Sequence, residues 1–332
     1  MSMKYYTFSD VLIKPKYSEI LSRSNVNLSV DLKNSNNLTL PIISANMKTI
    51  TGVNMTWKMH QQGGMGILHR FNTIEEAISD YNQIANSKIC GVSIGVQEED
   101  KERFDKLYQA GARIFCIDVA HGHHILVKNM TKWIKAKQLN DITLITGNIA
   151  TGDGAYDLVD WGADVVKVGI GPGSVCTTRQ RTGVGVPQLS ALDEVYNVLK
   201  GQGKIDIKII ADGGITSVGD IAKALKFADF VMIGSMFAGT SETPGHVYKN
   251  PEGQFYKVYG GSASGENKGE NKFVEGMMKT IPFKGKVKYI LREIREGVQS
   301  AFSYVGASNM AEYKERCEFQ FITGGSSRES KF

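Results

Sequence analysis

The stretch that decides the fold reads Asp164-Val-Val-Lys-Val-Gly-Ile-Gly-Pro-Gly-Ser-Val-Cys-Thr-Thr-Arg179. Its first part, Val165–Val168, is a β-branched run typical of a strand that is buried on both faces. Glycines then alternate as far as Gly173, so the backbone of the following loop can approach a ligand closely. Cys176 comes next, where a thiol could act as a nucleophile. The alternative is a tight turn with Cys176 as an inert core residue.

The strand pattern recurs along the chain, separated in most cases by amphipathic segments of helical length such as 74–86 and 101–110. Such alternation favours parallel βαβ units, and eight units favour a closed (β/α)8 barrel, or TIM barrel, over an open sheet. The predicted strands are Pro41–Ala45, Gly66–His69, Gly91–Gly95, Arg113–Asp118, Thr143–Thr146, Val165–Val168, Lys208–Asp212 and Phe230–Gly234. We expect one α/β barrel domain over residues 1–332 rather than two domains, with an irregular N-terminal lead, a flap insertion at about 250–285 and a C-terminal tail at about 312–332.

Composition and charge argue against a nucleic-acid-binding, membrane-spanning or secreted protein. An apolar share of 42% is enough for a full core, and the net charge of +5 suits an anionic small molecule. No basic run indicates a nucleic-acid partner, no window of about 18 apolar residues predicts a membrane span, and residues 1–10 lack the apolar core of a signal peptide. The cysteines form no CxxC pair and indicate reduced thiols in a cytoplasmic enzyme. Cys90 and Cys116 are predicted to be core residues.

Polar residues concentrate where the predicted strands end, which is the face of such a barrel that carries its chemistry. They include Asn46, His69, Arg70, Asp118, His121, His123, His124, Asn148 and Asp212. A metal site at the three neighbouring histidines is disfavoured, because they lack the i, i+4 spacing and have no carboxylate or thiol nearby in sequence. Backbone amides after strands seven and eight predict a phosphate site, formed by Ser174, Gly213, Gly214, Gly234 and Ser235.

The run Gly-x-Gly-Pro-Gly-Ser-x-Cys-Thr-Thr-Arg at 169–179 resembles the catalytic loop of the IMP dehydrogenase and GMP reductase family, and Asp10-Val-Leu-Ile-Lys-Pro15 resembles the family's N-terminal motif. The resemblance extends from about Phe8 to Met310. It implies that Cys176 attacks C2 of a purine nucleotide. It also implies a potassium ion held by backbone carbonyls of Gly171, Gly173, Cys176 and Arg179.

The resemblance assigns further residues to ligands. It implies that the nucleotide, GMP or IMP, contacts Ser174, Asp212 (through the ribose hydroxyls), Gly213, Gly214, Gly234, Ser235, Tyr259, Gly261, Ser262, Lys272 and Gly276. It implies that NADPH contacts Asp118, Ala120, Gly122, Asn148 and Thr178. Two of these regions depart from the family pattern: Lys272 stands where many reductases have arginine, and His121 where some members have asparagine.

Two departures from the dehydrogenases favour the reductase branch of the family. Dehydrogenases usually insert a large regulatory domain after strand two, whereas only about twenty residues separate Arg70 from Gly91 here. Dehydrogenases also use an Arg-Tyr pair on a mobile flap, and this sequence has no Arg-Tyr dipeptide. Instead Val274-Glu275-Gly276 resembles the reductase segment whose glutamate pairs with the catalytic-loop threonine, here Thr178. Without the resemblance, Glu275 would be read as one more solvated charge.

The implied reaction is the NADPH-dependent reductive deamination of GMP to IMP and ammonia through a thioimidate on Cys176, with Thr178 and Glu275 relaying the proton. The chain has no Rossmann fingerprint, so the nicotinamide is expected across the barrel mouth near Asp118 and Gly122. The family also implies a homotetramer. Two alternatives remain: an IMP dehydrogenase without its regulatory domain, and a non-catalytic barrel that binds purine nucleotides.

Overall fold

The computed structural model describes residues 5–34, 36–85, 89–204, 206–261 and 276–329, with the side chains of these residues as far as 326. Within them, eight parallel strands form a closed barrel, and their order around the barrel follows their order in the chain. The fold is an α/β (β/α)8 barrel, so the architecture predicted from the sequence is confirmed. Each strand lies where the pattern of apolar runs predicted one.

Strands and helices alternate through the barrel portion of the chain. In order they are β1 (Ile42–Ser44), α1 (Val53–Gln61), β2 (Met65–Leu68), α2 (Ile74–Ile84), β3 (Cys90–Ile94), α3 (Glu98–Gln109), β4 (Ile114–Asp118), α4 (Ile125–Ala136), β5 (Thr143–Ile149), α5 (Gly152–Trp161), β6 (Val165–Val168), α6 (Thr178–Thr182), α7 (Gln188–Gly201), β7 (Lys208–Asp212), α8 (Val218–Ala224) and β8 (Phe230–Ile233). In the parts of the chain that the structure describes, no helix is long and apolar enough to cross a bilayer.

The barrel strands are covered on both faces, which explains their nearly continuous apolar sequences. Every residue of β2, β3 and β6 is buried, because one face of each strand fills the barrel and the other lies under the helices. The prediction that Cys90 and Cys116 are core residues is confirmed, since they are 5% and 0% exposed. Burial raises the pKa of both thiols to about 12, so neither ionises near neutral pH.

The helix predicted from Lys101 begins three residues earlier, at Glu98. The carboxylate of Asp100 accepts hydrogen bonds from the backbone amides of Gly95 and Gln97, at 2.8 and 3.0 Å. Such bonds satisfy amides that would otherwise lack a partner at the start of a helix. The helix can therefore begin as soon as β3 ends.

Segments outside the barrel form three small antiparallel sheets. Val11–Ile13 of the N-terminal lead pairs with Phe319–Phe321 near the end of the chain, and Val30–Asp31 pairs with Asn37–Leu38. After β8 comes a three-stranded sheet, called the flap sheet below, made of Tyr248–Lys249, Phe255–Gly260 and Met278–Pro282. Three further α-helices lie in the described part of the chain after the flap sheet: α9 (Val287–Tyr304), α10 (Met310–Arg316) and α11 (Gly324–Glu329).

A break in the barrel register turns one side chain towards the mouth. Gly147 of β5 pairs with Lys167 of β6, but the next pair is Ile149 with Val168, so Asn148 is left out of the ladder. A bulged residue directs its side chain where regular alternation would not. Asn148 thereby reaches atoms at the carboxyl ends of β6 and β7.

Candidate active site

A buried lysine, Lys167 of β6, lies at the centre of the barrel mouth, with its side chain 2% exposed. Its ammonium lies 3.2 Å from Asp118 Oδ1 and 2.9 Å from Asp212 Oδ2, and it donates to Asn148 Oδ1. Burial alone would lower the pKa of Lys167, but the carboxylates of Asp212 and Asp118 outweigh this effect and hold the pKa above its usual value. The Lys167 ammonium thus connects β6 to side chains of β4, β5 and β7.

Asp118 is the carboxylate on the predicted cofactor side of the mouth. Burial alone would raise its pKa, but the Lys167 ammonium and the Arg70 guanidinium outweigh burial, so the pKa of Asp118 lies below its ordinary value. Arg70 also donates from Nε to the backbone oxygen of Asp118 at 3.0 Å. Asp118 is therefore charged at neutral pH and can accept hydrogen bonds from ligand hydroxyl groups.

Asn148 and Asp212 are joined to each other as well as to Lys167. The Asn148 amide donates to Gly169 O at 2.7 Å and to Asp212 Oδ2 at 2.8 Å. These bonds commit the Asn148 side chain to protein atoms, so it acts as a scaffold for the mouth. Asn148 and Lys167 both donate to Oδ2 of the Asp212 carboxylate. This arrangement is compatible with Oδ1 accepting a hydrogen bond from a ribose hydroxyl.

The loop after β6 brings the predicted nucleophile and its threonine together, with Cys176 Sγ 3.2 Å from Thr178 Oγ1. Of the four cysteines, Cys176 alone is not buried, so it is the thiol that a ligand can reach. Arg179 fixes the shape of the loop. Its side chain packs against Gly171 and donates to the backbone oxygen of Ile170 at 3.4 Å.

The flap sheet lies directly against this loop. Cys176 and Gly276 form an isolated antiparallel bridge, and the Met277 amide donates to Val175 O at 3.0 Å. Gly261 in turn donates its amide to Met277 O at 3.1 Å. Two predicted substrate residues, Gly261 and Gly276, are thus placed against the loop that carries Cys176. Three further predicted residues lie outside the described part of the chain: Ser262, Lys272 and Glu275.

Residues predicted to hold a phosphate come together at one place on the mouth. The side chains of Ser174 and Tyr259 are hydrogen-bonded, and a Cβ at Gly234 would lie 3.2 Å from the Tyr259 hydroxyl. Gly213 faces the same loop, since a Cβ there would lie 3.3 Å from the amide nitrogen of Gly173. The phosphate cradle consists of Ser174, Gly213, Gly214, Gly234, Ser235 and Tyr259.

The remaining residues that were predicted to contact the cofactor follow β4. Gly122 donates its amide to Asn148 O at 2.6 Å, and it packs so closely on the end of β5 that a Cβ would lie 2.9 Å from a backbone carbon. Ala120 is exposed at the mouth. Nearby, His123 pairs with Asp157 at 2.7 Å. Among the described residues, no group of three or more histidine, cysteine and carboxylate side chains could hold a metal ion.

A separate cavity of about 470 Å³ lies at the other end of the barrel, where β7 begins. It is lined by residues of α7 and α10 and by the segment 29–31 of the N-terminal lead. None of the predicted site residues lines it, so the cavity is unrelated to the chemistry of the mouth.

Comparison with known proteins agrees with this arrangement. The family model described as "IMP dehydrogenase / GMP reductase domain" matches residues 5–332. The chain belongs to the IMP dehydrogenase/GMP reductase family. The resemblance of the loop at 169–179 to that family is confirmed.

Individual relatives in the family are reductases by name. A GMP reductase from Acidovorax sp. (strain JS42) is 39% identical over 319 residues, which cover 94% of this chain and 95% of the relative. A GMP reductase from Ligilactobacillus salivarius is 38% identical over 313 residues, covering 93% and 94%. A crystal structure of a cysteine-to-alanine GMP reductase variant from Trypanosoma brucei, in complex with guanosine 5′-monophosphate, matches with a TM-score of 0.92. That match has 27% identity and covers 99% of this chain and 98% of the other.

Lys167, the central residue of the mouth, was not among the site residues predicted from the sequence. The sequence did contain a signal, because a lysine between valines in a strand buried on both faces needs a buried counter-charge. Lys279 and Lys284 were also overlooked. Lys279 donates to Ser174 O at 2.9 Å, and Lys284 donates to Ser235 O at 3.1 Å. They stand in a polar segment where no pattern distinguished them from surface lysines.

We expect Lys167→Met to lower the free energy of unfolding by about 3–5 kcal/mol at neutral pH, because it leaves the largely buried carboxylates of Asp118 and Asp212 without their counter-charge. The loss should shrink as the pH falls through the raised carboxyl pKa of the variant. In the unmodified protein, the lowered pKa of Asp118 contributes stability that is present above the unfolded-state pKa and is lost as pH falls through the folded-state pKa. In the variant we expect burial to raise the pKa of Asp118, so that protonation in acid removes its unpaired charge.

Urea unfolding of both proteins across the acid range measures this difference. The matched control is Lys101→Met, which removes a surface pair with Glu98 at 2.7 Å and should cost less than about 1 kcal/mol at every pH. A Lys167→Met loss that stayed constant with pH would mean that Lys167 acts through packing alone.

Proposed function

We propose that this chain is a GMP reductase, which converts GMP to IMP and ammonia with NADPH as the reductant, in purine nucleotide interconversion. The observation that carries the proposal is the 3.2 Å contact between Cys176 Sγ and Thr178 Oγ1 beside the phosphate cradle. Relatives named GMP reductase, 38–39% identical over more than nine-tenths of the chain, support this choice. The missing Arg-Tyr dipeptide argues against a dehydrogenase.

Substrate binding follows from the arrangement of the mouth. The 5′-phosphate of GMP would lie in the phosphate cradle, where backbone amides and the Tyr259 hydroxyl can donate to it. The ribose hydroxyls would donate to Asp212, whose carboxylate lies 2.9 Å from the Lys167 ammonium. The purine would then lie over the loop that carries Cys176, with Gly261 and Gly276 against its edge. These contacts bring C2 of the base to the thiol.

Catalysis divides the substitution at C2 into two steps. The Cys176 thiolate forms a bond to C2, and the bond from C2 to the exocyclic nitrogen breaks as ammonia leaves with a proton relayed by Thr178 and Glu275. Bound near Asp118, Ala120 and Gly122, NADPH would be the source of the hydride that C2 needs. The C2–S bond then breaks, so that IMP leaves with a hydrogen at C2 and the thiolate is restored.

The residues assigned to NADPH fit a dinucleotide that lies across the mouth. Asp118 supplies a charged acceptor at the end of β4. Gly122 has no side chain to obstruct the approach over β5, and Ala120 is exposed beside it. Asn148 would act mainly by holding Lys167 and Asp212 in place, because its side chain already contacts both.

The assigned potassium ligands are also compatible with the loop that contains them. Potassium is well coordinated by sets of backbone carbonyl oxygens. Gly171, Gly173 and Cys176 belong to one tight loop, and Arg179 follows it in the first turn of α6. The buried Thr177 hydroxyl of this loop has no hydrogen-bond partner among the described residues. An unpaired buried oxygen beside the carbonyl of Cys176 is what a nearby cation would satisfy.

Cys176→Ser should retain GMP binding and lose essentially all turnover, because a serine hydroxyl ionises far less than a thiol near neutral pH. Purified protein is mixed with GMP and NADPH in potassium or sodium buffer, and the absorbance of the reduced nicotinamide is followed. IMP with NAD⁺ tests the dehydrogenase direction. Cys90→Ser is the control and should change stability only. Near-normal turnover by Cys176→Ser would exclude the covalent mechanism, and no turnover by the unmodified protein would favour a nucleotide-binding barrel.

Glu275→Gln tests the proton relay, which the deamination step needs and the hydride step does not. A general acid–base contribution is typically about 10²–10⁴-fold, so GMP reduction should fall by about that factor. The reverse hydride step, from IMP and NADP⁺, should change much less and is read as a burst of NADPH in a single turnover without ammonia. Equal damage to both steps would assign Glu275 to positioning, and no damage would make it a solvated charge.

We also propose a cytoplasmic homotetramer, as the family implies. Large apolar side chains stand exposed on the isolated subunit, including Tyr17 at 79% and Leu21 at 96%, and contacts between subunits would cover such side chains. Light scattering at micromolar protein should give the mass of four chains. A monomer at that concentration would contradict the proposal.

A further inference from the structure

Two lysines at the end of the flap sheet reach the phosphate cradle from outside the barrel. Lys279, in the strand Met278–Pro282, donates from Nζ to Ser174 O at 2.9 Å. Lys284, two residues after that strand, donates to Ser235 O at 3.1 Å and Met236 O at 3.2 Å. Each ammonium therefore binds the backbone oxygen of one of the two serines of the cradle, Ser174 or Ser235.

Neither ammonium has a carboxylate partner among the residues that the structure describes; the acceptors are backbone oxygens. Other lysines of the chain are paired with carboxylates, as Lys167 is with two aspartates and Lys314 is with Asp229 at 2.7 Å. Partial burial lowers the pKa of Lys284. The two ammonium groups therefore place positive charge at the edge of the cradle, where an anion can pair with it.

The contacts also leave hydrogen-bonding capacity for a ligand. A lysine ammonium has three N–H donors; Lys284 uses two of them on backbone oxygens and Lys279 uses one. A bond to the Ser235 carbonyl further polarises the peptide group that it shares with the Met236 amide, which makes that amide a stronger donor. The lysines can therefore act on an anion in the cradle through their charge, and Lys284 can also act through the neighbouring Met236 amide.

We propose that Lys279 and Lys284 form the cationic half of the phosphate subsite and set the preference of the enzyme for a nucleotide over its nucleoside. The inference rests on the proposed function and deepens it. The backbone amides recognise the shape of the phosphate, whereas the two ammonium groups balance its charge. A ligand without the phosphate gains nothing from either lysine.

The test compares GMP with guanosine, which differ only in the phosphate. Calorimetry measures the affinity of the unmodified protein, Lys279→Met, Lys284→Met and the double variant for both ligands. A hydrogen bond to a charged group is worth about 1.5–3 kcal/mol, so each substitution should weaken GMP binding about tenfold or more. Guanosine binding should stay unchanged. The matched control is Lys286→Met, an exposed lysine next to the segment, which should alter neither ligand.

Salt dependence gives a second measurement, which needs no guanosine signal. Added salt should weaken GMP binding to the unmodified protein and have less effect on the double variant, because fewer charges remain to be screened. Lys284→Arg keeps the charge and should bind GMP more tightly than Lys284→Met.

The outcomes distinguish a failure of this inference from a failure of the proposed function. Equal weakening of GMP and guanosine would overturn the inference, because the lysines would then merely hold the flap sheet. Unchanged GMP affinity in the double variant would also overturn it and leave the amides as sole phosphate ligands, with the proposed function intact. Failure of the unmodified protein to bind GMP at all would instead contradict the proposed function.

Discussion

The buried ammonium of Lys167 is the interaction on which the barrel mouth depends. A charge with 2% of its side chain exposed is tolerated only if opposite charges accompany it into the interior. The two carboxylates come from β4 and β7, and an amide oxygen comes from the bulge in β5. β5 and β7 are the direct neighbours of β6 in the parallel sheet, and β4 lies next to β5. The geometry of the mouth is therefore a consequence of the order of the parallel strands.

This shared counter-charge links the two halves of the proposed site. Asp118 lies on the side assigned to the cofactor and Asp212 on the side assigned to the ribose, and the same ammonium contacts both. A change in the charge or position of one carboxylate is felt by Lys167 and hence by the other carboxylate. Asn148 strengthens the link, because it bonds to both Lys167 and Asp212.

The reactive loop is organised differently, by backbone contacts with the flap sheet. The bridge from Cys176 to Gly276 and the bond from Met277 to Val175 make the flap sheet an extension of the loop. Lys279 and Lys284 connect the same sheet to the serine loops at Ser174 and Ser235. The thiol and the phosphate cradle thus share one supporting element, although they lie on different loops of the barrel.

The sequence by itself determined the barrel, the position of all eight strands and the loop that carries Cys176. These are local properties: a buried strand shows its apolar run within five or six residues, and the loop motif is contiguous. Only the tertiary structure decided what surrounds Lys167 and where Lys279 and Lys284 end. Their partners lie 45 to 49 residues away for the two aspartates and 105 and 49 residues away for Ser174 and Ser235. Contacts at such separations leave no pattern in one sequence, because they depend on which strands and loops the folded chain places side by side.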